Sequence, residues 1–487
     1  MILNLPSLSD IESQHFQALQ EQLASQFDAY FPDRLASKTV VVLPGLSLDA
    51  EMLSKISGSI HYEERLLCML LLLRMPRTHI IYLSSVPIDE AIIDYYLHLI
   101  PGITTLHARK RLVLLNCNDA SSKPLTEKVL SRPRLVQQIK NCIPGGHAAH
   151  IVAFNVTPLE ERLALMLNIP VNGCPSSLSY WGTKSGSREL FKNAGLLVPD
   201  GFENLASMAE VVHSLQALKK QKPWLKRAAV KLNDGFSGDG NAIYTYSSNK
   251  EVSENLLEKH LAIVAGDMSY DVFAAKLSWM GGVVEEFVEG DIKTSPSVQC
   301  RINPNREIDI ISTHDQLLSG VNGQVYAGAT FPAQEGYRQT IGQLGKQVAA
   351  YMQNLGVLGR FAIDFISVPS PEGWKHYAIE INLRKGGTTH PYLMLQLLTS
   401  GNYNYLTGNY EMPNGQTRFY MATDNLVSEK LKSLTPTDLI DIAICHNLHF
   451  DGSTQEGVMF HLIGAFPTWE AGCTLRWNHR RQGYGII

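Results

Sequence analysis

The chain has 487 residues, too many for one compact fold; at ~150 residues per domain, the length predicts about three domains or lobes. Apolar residues make up 45% and charged residues 18%, ordinary globular proportions that exclude bulk disorder. Lys plus Arg is 42 and Asp plus Glu is 46, so the formal net charge is -4, which argues against a dedicated nucleic-acid binder and leaves room for a local basic pocket.

The first stretch alternates strand and helix signals. Thr39–Leu43 is a β-branched run closed by Pro44-Gly45, and residues 62 to 74 predict a helix. His79–Leu83 predicts a strand, Pro87 opens a helix to about Leu99, and Pro101-Gly102 ends it. Arg111–Leu115 and His150–Phe154 are further strands, the second followed by a helix from Pro158 to Leu167. This alternation predicts an α/β unit with a parallel sheet and helices on its faces.

The character changes near Tyr180. A helix ends at Gly195, and a Lys-rich helix runs from about Leu205 to Lys222. The strand Ala228–Leu232 enters the loop Asn233-Asp-Gly-Phe-Ser-Gly-Asp-Gly240, and Val283–Glu289 is a later strand. Arg360–Val368 and Tyr377–Asn382, joined by the turn-rich Pro369-Ser-Pro-Glu-Gly373, form a hairpin. Another helix signal and Gly457–Ile463 follow.

Met1–Asp10 has neither a basic n-region nor an apolar h-region, so no signal peptide is expected. The longest apolar run, Leu66–Leu73, is far short of the ~20 residues of a membrane span and predicts a buried helix. The 7 cysteines are scattered, with no C-x-x-C pair, which argues against a disulfide framework or a zinc site. A soluble cytoplasmic protein, with no membrane or nucleic-acid partner, is the expectation.

Four groups of residues carry chemistry. Glu380 and Asn382 share a strand face, and the hairpin brings Asp364 alongside. Two carboxylates and an amide oxygen are hard ligands suited to Mg²⁺, although each acid alone fits a solvated strand face equally well. Arg384, just beyond, supplies a cationic fork for phosphate or carboxylate, and Gly386-Gly-Thr-Thr-His-Pro391 follows. Gly235, Ser237, Gly238 and Gly240, after Lys231, make a glycine-rich loop whose backbone N–H groups suit phosphate oxygens. The spacing matches neither a Walker A loop nor a dinucleotide fingerprint. Lys184, in Trp181-Gly-Thr-Lys-Ser-Gly-Ser-Arg188, sits at a helix start where an anion is favoured. Val284-Glu-Glu-Phe-Val-Glu-Gly290 alternates acidic and apolar residues.

The order of these motifs resembles the ATP-grasp superfamily over about residues 181 to 400. The resemblance implies ATP bound between two α+β lobes. It implies that Lys184 and Lys231 contact phosphates, that the loop Gly235–Gly240 is a lid, and that Glu285, Glu286, Phe287 and Val288 form the hinge that reads adenine. Glu289 or Asp291 is implied to hold the ribose, Asp364, Glu380 and Asn382 the magnesium, and Arg384 the reacting phosphate. Phe154-Asn-Val-Thr157, Asn168-Ile-Pro-Val-Asn-Gly173, Trp181–Arg188 and Gly457–Gly464 are similar to peptide ligases related to the pheganomycin ligase. That similarity implies a pre-ATP-grasp domain at 1–180, an ATP-grasp core at 181–400 with a lid lobe at about 203–290, and a C-terminal domain at 401–487. It implies a ligase that joins an amino-acid or peptide carboxylate to an amine through an acylphosphate, with release of ADP and phosphate; related ligases are often homodimers. Arg301, His314, Arg360, His390 and His461 are the candidates for the acid site, though Arg301 fits a surface residue and His461 a core histidine equally well. A non-catalytic ATP-binding regulator, and an ATP-dependent carboxylase or phosphotransferase, are the alternatives; the intact metal set argues against the first and the lack of a Met-Lys-Met carrier motif against a biotin-dependent carboxylase.

Overall fold

The computed structural model describes residues 7–48, 50–56, 58–235, 240–247, 252–266, 268–319, 325–426, 428, 431, 433–468 and 471–477. Ser237 and Gly238 of the glycine-rich loop lie outside them. Three sheets carry the chain.

The first is parallel. Strands β1 (Lys38–Leu43), β2 (Thr78–Ser84), β3 (Leu112–Asn116) and β4 (Ala148–Ala153) pair in the order β3-β2-β1-β4. The strand period of two divides β1 and β2 between two cores. Val40, Val42, Ile80 and Tyr82 pack on Leu66, Leu67 and Leu70, whereas Val41, Leu43, Ile81 and Leu83 pack on the other side with Phe16 and Leu163. Both faces being covered, these strands read as continuous apolar runs. The helix Pro158–Leu167 occupies the expected residues; Thr157 caps it in a capping box with Glu160, and Asn168 closes it in the left-handed region. The expected helix over 62–74 is instead a 3₁₀ helix, Ser59–Arg74. At three residues per turn, side chains at i and i+3 eclipse, which puts Tyr62, Arg65 and Cys68 in one row.

The second sheet is antiparallel. Strands β5 (Gly201–Leu205), β6 (Arg227–Leu232), β7 (Asn241–Thr245), β8 (Leu261–Ile263) and β9 (Gly282–Glu286) pair in the order β5-β9-β6-β7-β8. Helices Met208–Gln221 and Tyr270–Met280 cover it through Val211, Leu215, Phe273 and Leu277.

The third sheet has eight strands. They are β10 (Pro296–Ile302), β11 (Ile308–Ser319), β12 (Val325–Phe331), β13 (Gly359–Ser370), β14 (Gly373–Asn382), and, beyond a short β15–β16 ribbon (Asn402–Asn404 with Asn409–Glu411), β17 (Phe419–Leu426), β18 (Gly457–His461) and β19 (Ala471–Trp477). Their order is β14-β13-β10-β11-β12-β17-β19-β18, so the C-terminal strands extend the sheet of the central region. Ile363 and Ile381 point into the core beneath helices Lys184–Asn193 and Arg338–Asn354. Asp364, Glu380 and Asn382 therefore face the opposite side.

Candidate active site

A cleft of about 570 Å³ lies between the second and third sheets and reaches residues of the N-terminal 3₁₀ helix and of β17. Its floor is the β13–β14 hairpin. Asp364 pairs in register with Glu380, and a register shift follows between Asp364 and Phe365. Asn382, two residues beyond Glu380, shares its face; its Nδ2 donates to Asp364 Oδ2 at 2.9 Å, which leaves Oδ1 as the amide's remaining acceptor. The Asp364 carboxyl is pushed up to about 7 by burial and then by the charge of Glu380. Burial acts on Glu380 in the same sense, but Lys184, ion-paired with it, together with the charges of Lys231 and Arg384, holds it below its ordinary value. Two carboxylates and an amide oxygen that need a cation between them are a fitting donor set for Mg²⁺.

Lys184 is the first residue of its helix. Thr183 caps that helix, its Oγ1 accepting from the Gly186 N–H at 3.0 Å. The Lys184 N–H donates to the Asn233 carbonyl at 3.0 Å, and the Ser185 N–H to Asn233 Oδ1 at 2.9 Å. These bonds tie the helix start to the loop that leaves β6. Gly235 and Gly240 both line the cleft, and a Cβ on Gly235 would stand 2.9 Å from the Gly240 nitrogen.

Lys231, on β6, is ion-paired with Glu285, whose other oxygen accepts from Arg188 Nη1 at 2.7 Å. Burial raises the Glu285 carboxyl, and these two cations bring it below its ordinary value. Both Glu285 oxygens are thus paired within the protein, with Lys231 and Arg188, at the cleft wall. Glu286 accepts from Lys222 at 2.6 Å, and from the Asp200 N–H at 3.1 Å. Glu286, Phe287 and Val288 line the cleft. The Phe287 ring lies 4.0 Å from Arg227 and 4.6 Å from Lys293. Glu289 is held by Arg227 through bonds of 2.9 and 2.6 Å, and Asp291 is exposed; neither lines the cleft, so the ribose assignment is not supported for either.

Arg384 lines the cleft beside the carboxylates, its Nη1 donating to the Lys385 carbonyl at 3.1 Å. The five acid-site candidates do not line it. Arg301 pairs with Asp309 at 2.6 Å across the β10–β11 turn. His314 is buried against Phe331, its Nε2 2.8 Å from the Tyr420 hydroxyl, and burial depresses it to about 3. Arg360 is likewise brought down to about 10 by burial. His390 Nε2 and His461 Nδ1 meet at 3.0 Å in the interior. Their types suited a carboxylate; four stand on strands and His390 on the helix Thr389–Thr399, and none lines the cleft. Conversely, Arg65, Tyr326, Lys293 and Asp424 line the cleft unanticipated. Arg65 flanks an apolar run and read as the edge of a buried helix, and nothing local marks Asp424.

Among the described residues, no group of three or more His, Cys, Asp or Glu side chains is placed to hold a metal. The hairpin set offers two acids and an amide oxygen, hard donors of the type that suits a divalent cation also held by phosphate oxygens.

The family described as "IQCH-like, ATP-grasp" matches residues 175–259 and 246–406. The chain is 30% identical over 436 residues to the L-propargylglycine–L-glutamate ligase of Streptantibioticus cattleyicolor, covering 88% of each chain. It is 22% identical to the IQ motif-containing protein H of Danio rerio over 88% of this chain and 45% of that one. The fold is shared with the biotin carboxylase of Campylobacter jejuni, at a TM-score of 0.54 and 11% identity over 91% of this chain and 88% of that one. It is shared as well with N5-carboxyaminoimidazole ribonucleotide synthetase, solved with ADP, at 0.51 and 13% over 91% and 94%. The hairpin carboxylates, the two lysines and this ancestry converge: the chain belongs to the ATP-grasp carboxylate–amine ligases and is an ATP-dependent, amide-forming enzyme of the kind that includes the pheganomycin ligase.

Proposed function

We propose that the acid is an amino acid or peptide activated as an acylphosphate on Mg²⁺·ATP, and that this chemistry runs on the hairpin floor. The observation that carries the reading is the register of Asp364 with Glu380, which aligns two carboxylates and Asn382 below Lys184, Lys231 and Arg384. The adenine end of the cleft is the segment Glu286–Val288, read through its backbone, with the Phe287 ring beside it. Asp364, Glu380 and Asn382 would hold Mg²⁺, which neutralises charge on the β- and γ-phosphates. With Mg²⁺ held there, Glu380 would no longer need Lys184, whose ammonium would be free to reach a phosphate oxygen. A carboxylate oxygen of the substrate then attacks the γ-phosphorus, the bond to the bridging oxygen breaks, and ADP leaves. The amine nitrogen attacks the acyl carbon, the bond to the phosphate oxygen breaks, and phosphate leaves with the proton lost to solvent. Arg384 stands where it can offset charge on the migrating phosphoryl group. The organisation into 1–180, 181–400 and 401–487 belongs to the same reading.

The test is ADP formation with pooled amino acids as acids and amines. Release of ADP that needs both substrates and Mg²⁺, and that falls at least ~100-fold in Glu380→Gln while the far-ultraviolet spectrum is unchanged, supports the reading. Near-normal turnover of Glu380→Gln at saturating Mg²⁺ shows that the metal lies elsewhere.

A further inference from the structure

The cleft continues past Arg384 to an ion pair that none of the ATP chemistry uses. Arg65, from the N-terminal 3₁₀ helix, donates through Nη2 to Asp424 Oδ2 of β17 at 2.8 Å, across 359 residues of chain. The two side chains are 8% and 13% exposed, and both line the cleft. The 3₁₀ spacing puts the Tyr62 ring under the guanidinium at 4.0 Å, with Phe154 at 5.8 Å. Stacking fixes the plane of the guanidinium and leaves its N–H donors to point along it. Arg65 Nε is buried and has no hydrogen-bond partner among the described residues. Asp424 sits where the pairing of β17 with β19 shifts between Thr423 and Leu426, an irregularity of the kind that re-aims a side chain.

Arg65 and Arg384 line the same cleft, and burial and the charge of Arg65 hold Arg384 below its ordinary value against the pull of Glu380. Two guanidinium groups lining one cleft beside the hairpin carboxylates suit an anion, and the reacting carboxylate is an anion the ligase reaction must bind there. Asp424, bonded to one of them, is the acceptor next to it. A largely buried ion pair is weak evidence of a stability device, because its desolvation cost offsets much of its attraction.

We propose that Arg65 and Asp424 form the head-group site for the acid substrate, and that this substrate is an α-amino acid with a free ammonium group. Its carboxylate lies between Arg65 and Arg384, and its ammonium takes the place of Arg65 on Asp424. The inference rests on the ligase reading above and narrows it: N-capped amino acids and simple carboxylic acids lack the group that Asp424 selects. An analogue without the ammonium leaves Arg65 engaged with Asp424, so its carboxylate loses one of its two guanidinium partners and binds more weakly.

Hydroxylamine trapping tests this without the amine substrate. The hydroxylamine nitrogen attacks the acylphosphate carbon, phosphate leaves, and a hydroxamate accumulates. Free amino acids, their N-acetyl derivatives and their des-amino counterparts are compared with the wild-type protein, then with Asp424→Asn. The expected result is hydroxamate from free amino acids at least 100-fold more efficiently than from either analogue, with that preference falling at least tenfold in Asp424→Asn through a rise in KM, and partly restored in Asp424→Glu. Equal use of N-acetyl or des-amino acids by the wild-type protein overturns the head-group site and leaves the ligase reading standing; this comparison holds whether or not the variants fold. A preference unchanged in a folded Asp424→Asn also overturns it. Hydroxamate from no acid at all overturns the ligase reading and this site with it.

Discussion

At the scale of single residues, the site is a balance between two buried carboxyl groups and the cations around them. Asp364 has its carboxyl pushed up to about 7 from an ordinary 3.8, by burial and then by Glu380. A folded-state value raised in this way favours the protonated form. Its contribution to stability is present below about pH 4 and is lost as the pH rises through about 7. Asp364→Asn keeps a neutral side chain at every pH, so the ligand-free variant is expected to match the wild type near pH 4.5 and to exceed it at pH 8. Because the cleft opens to water, the gain is on the order of 2 kcal/mol, read as a rise in Tm. A Tm difference that does not grow between these pH values contradicts the placement of the two carboxylates. This part of the site was legible in the sequence, since strand alternation alone puts Glu380 and Asn382 on one face and a tight turn sets Asp364 opposite. The ion pairs of Glu285 were not legible in the sequence. Its partners Lys231 and Arg188 come from a strand and a helix far off in the chain, and no local pattern reports an ion pair assembled by packing.

At the scale of elements, the helix Lys184–Asn193 couples the lysine to the hairpin and to the loop after β6. Its Gly186 packs against the carbonyl of Tyr180, where an added Cβ would collide with backbone. The same carbonyl accepts from Thr183 Oγ1 at 2.7 Å, so the obstruction is fixed by the cap itself. Gly186→Ala is therefore expected to shift the helix start, lower stability by ~1–3 kcal/mol in urea unfolding, and weaken nucleotide binding through Lys184. Unchanged stability and affinity contradict the assigned cap. Apolar strands, the capped helix Pro158–Leu167 and the hairpin were readable because each is determined by local pattern. The helix Asp10–Tyr30 was not, since its buried residues are Phe16, Leu19 and Leu23 in an otherwise polar run. The 3₁₀ form of Ser59–Arg74 escaped for the opposite reason: a run buried nearly all round carries no periodicity to tell one helix type from another.

At the scale of the molecule, the parallel unit and the C-terminal strands do more than flank the nucleotide lobes. Arg65 reaches the cleft from the first, and Asp424 reaches it from a strand that extends the central sheet. A sequence read in segments assigns such residues to their own segment, and their meeting is a property of the assembled fold alone. The near-neutral charge of -4 likewise hides a cleft in which Lys184, Lys231, Arg384 and Arg65 face the acids of the hairpin and β17. The central claim is that a carboxylate oxygen is transferred to phosphorus during amide formation. The most direct measurement is the fate of ¹⁸O from a labelled amino-acid carboxylate, followed by mass spectrometry of the released phosphate. One labelled oxygen in each phosphate, with ADP as the nucleotide product, is the predicted result; label in AMP with release of pyrophosphate, or unlabelled phosphate beside labelled amide, would contradict it.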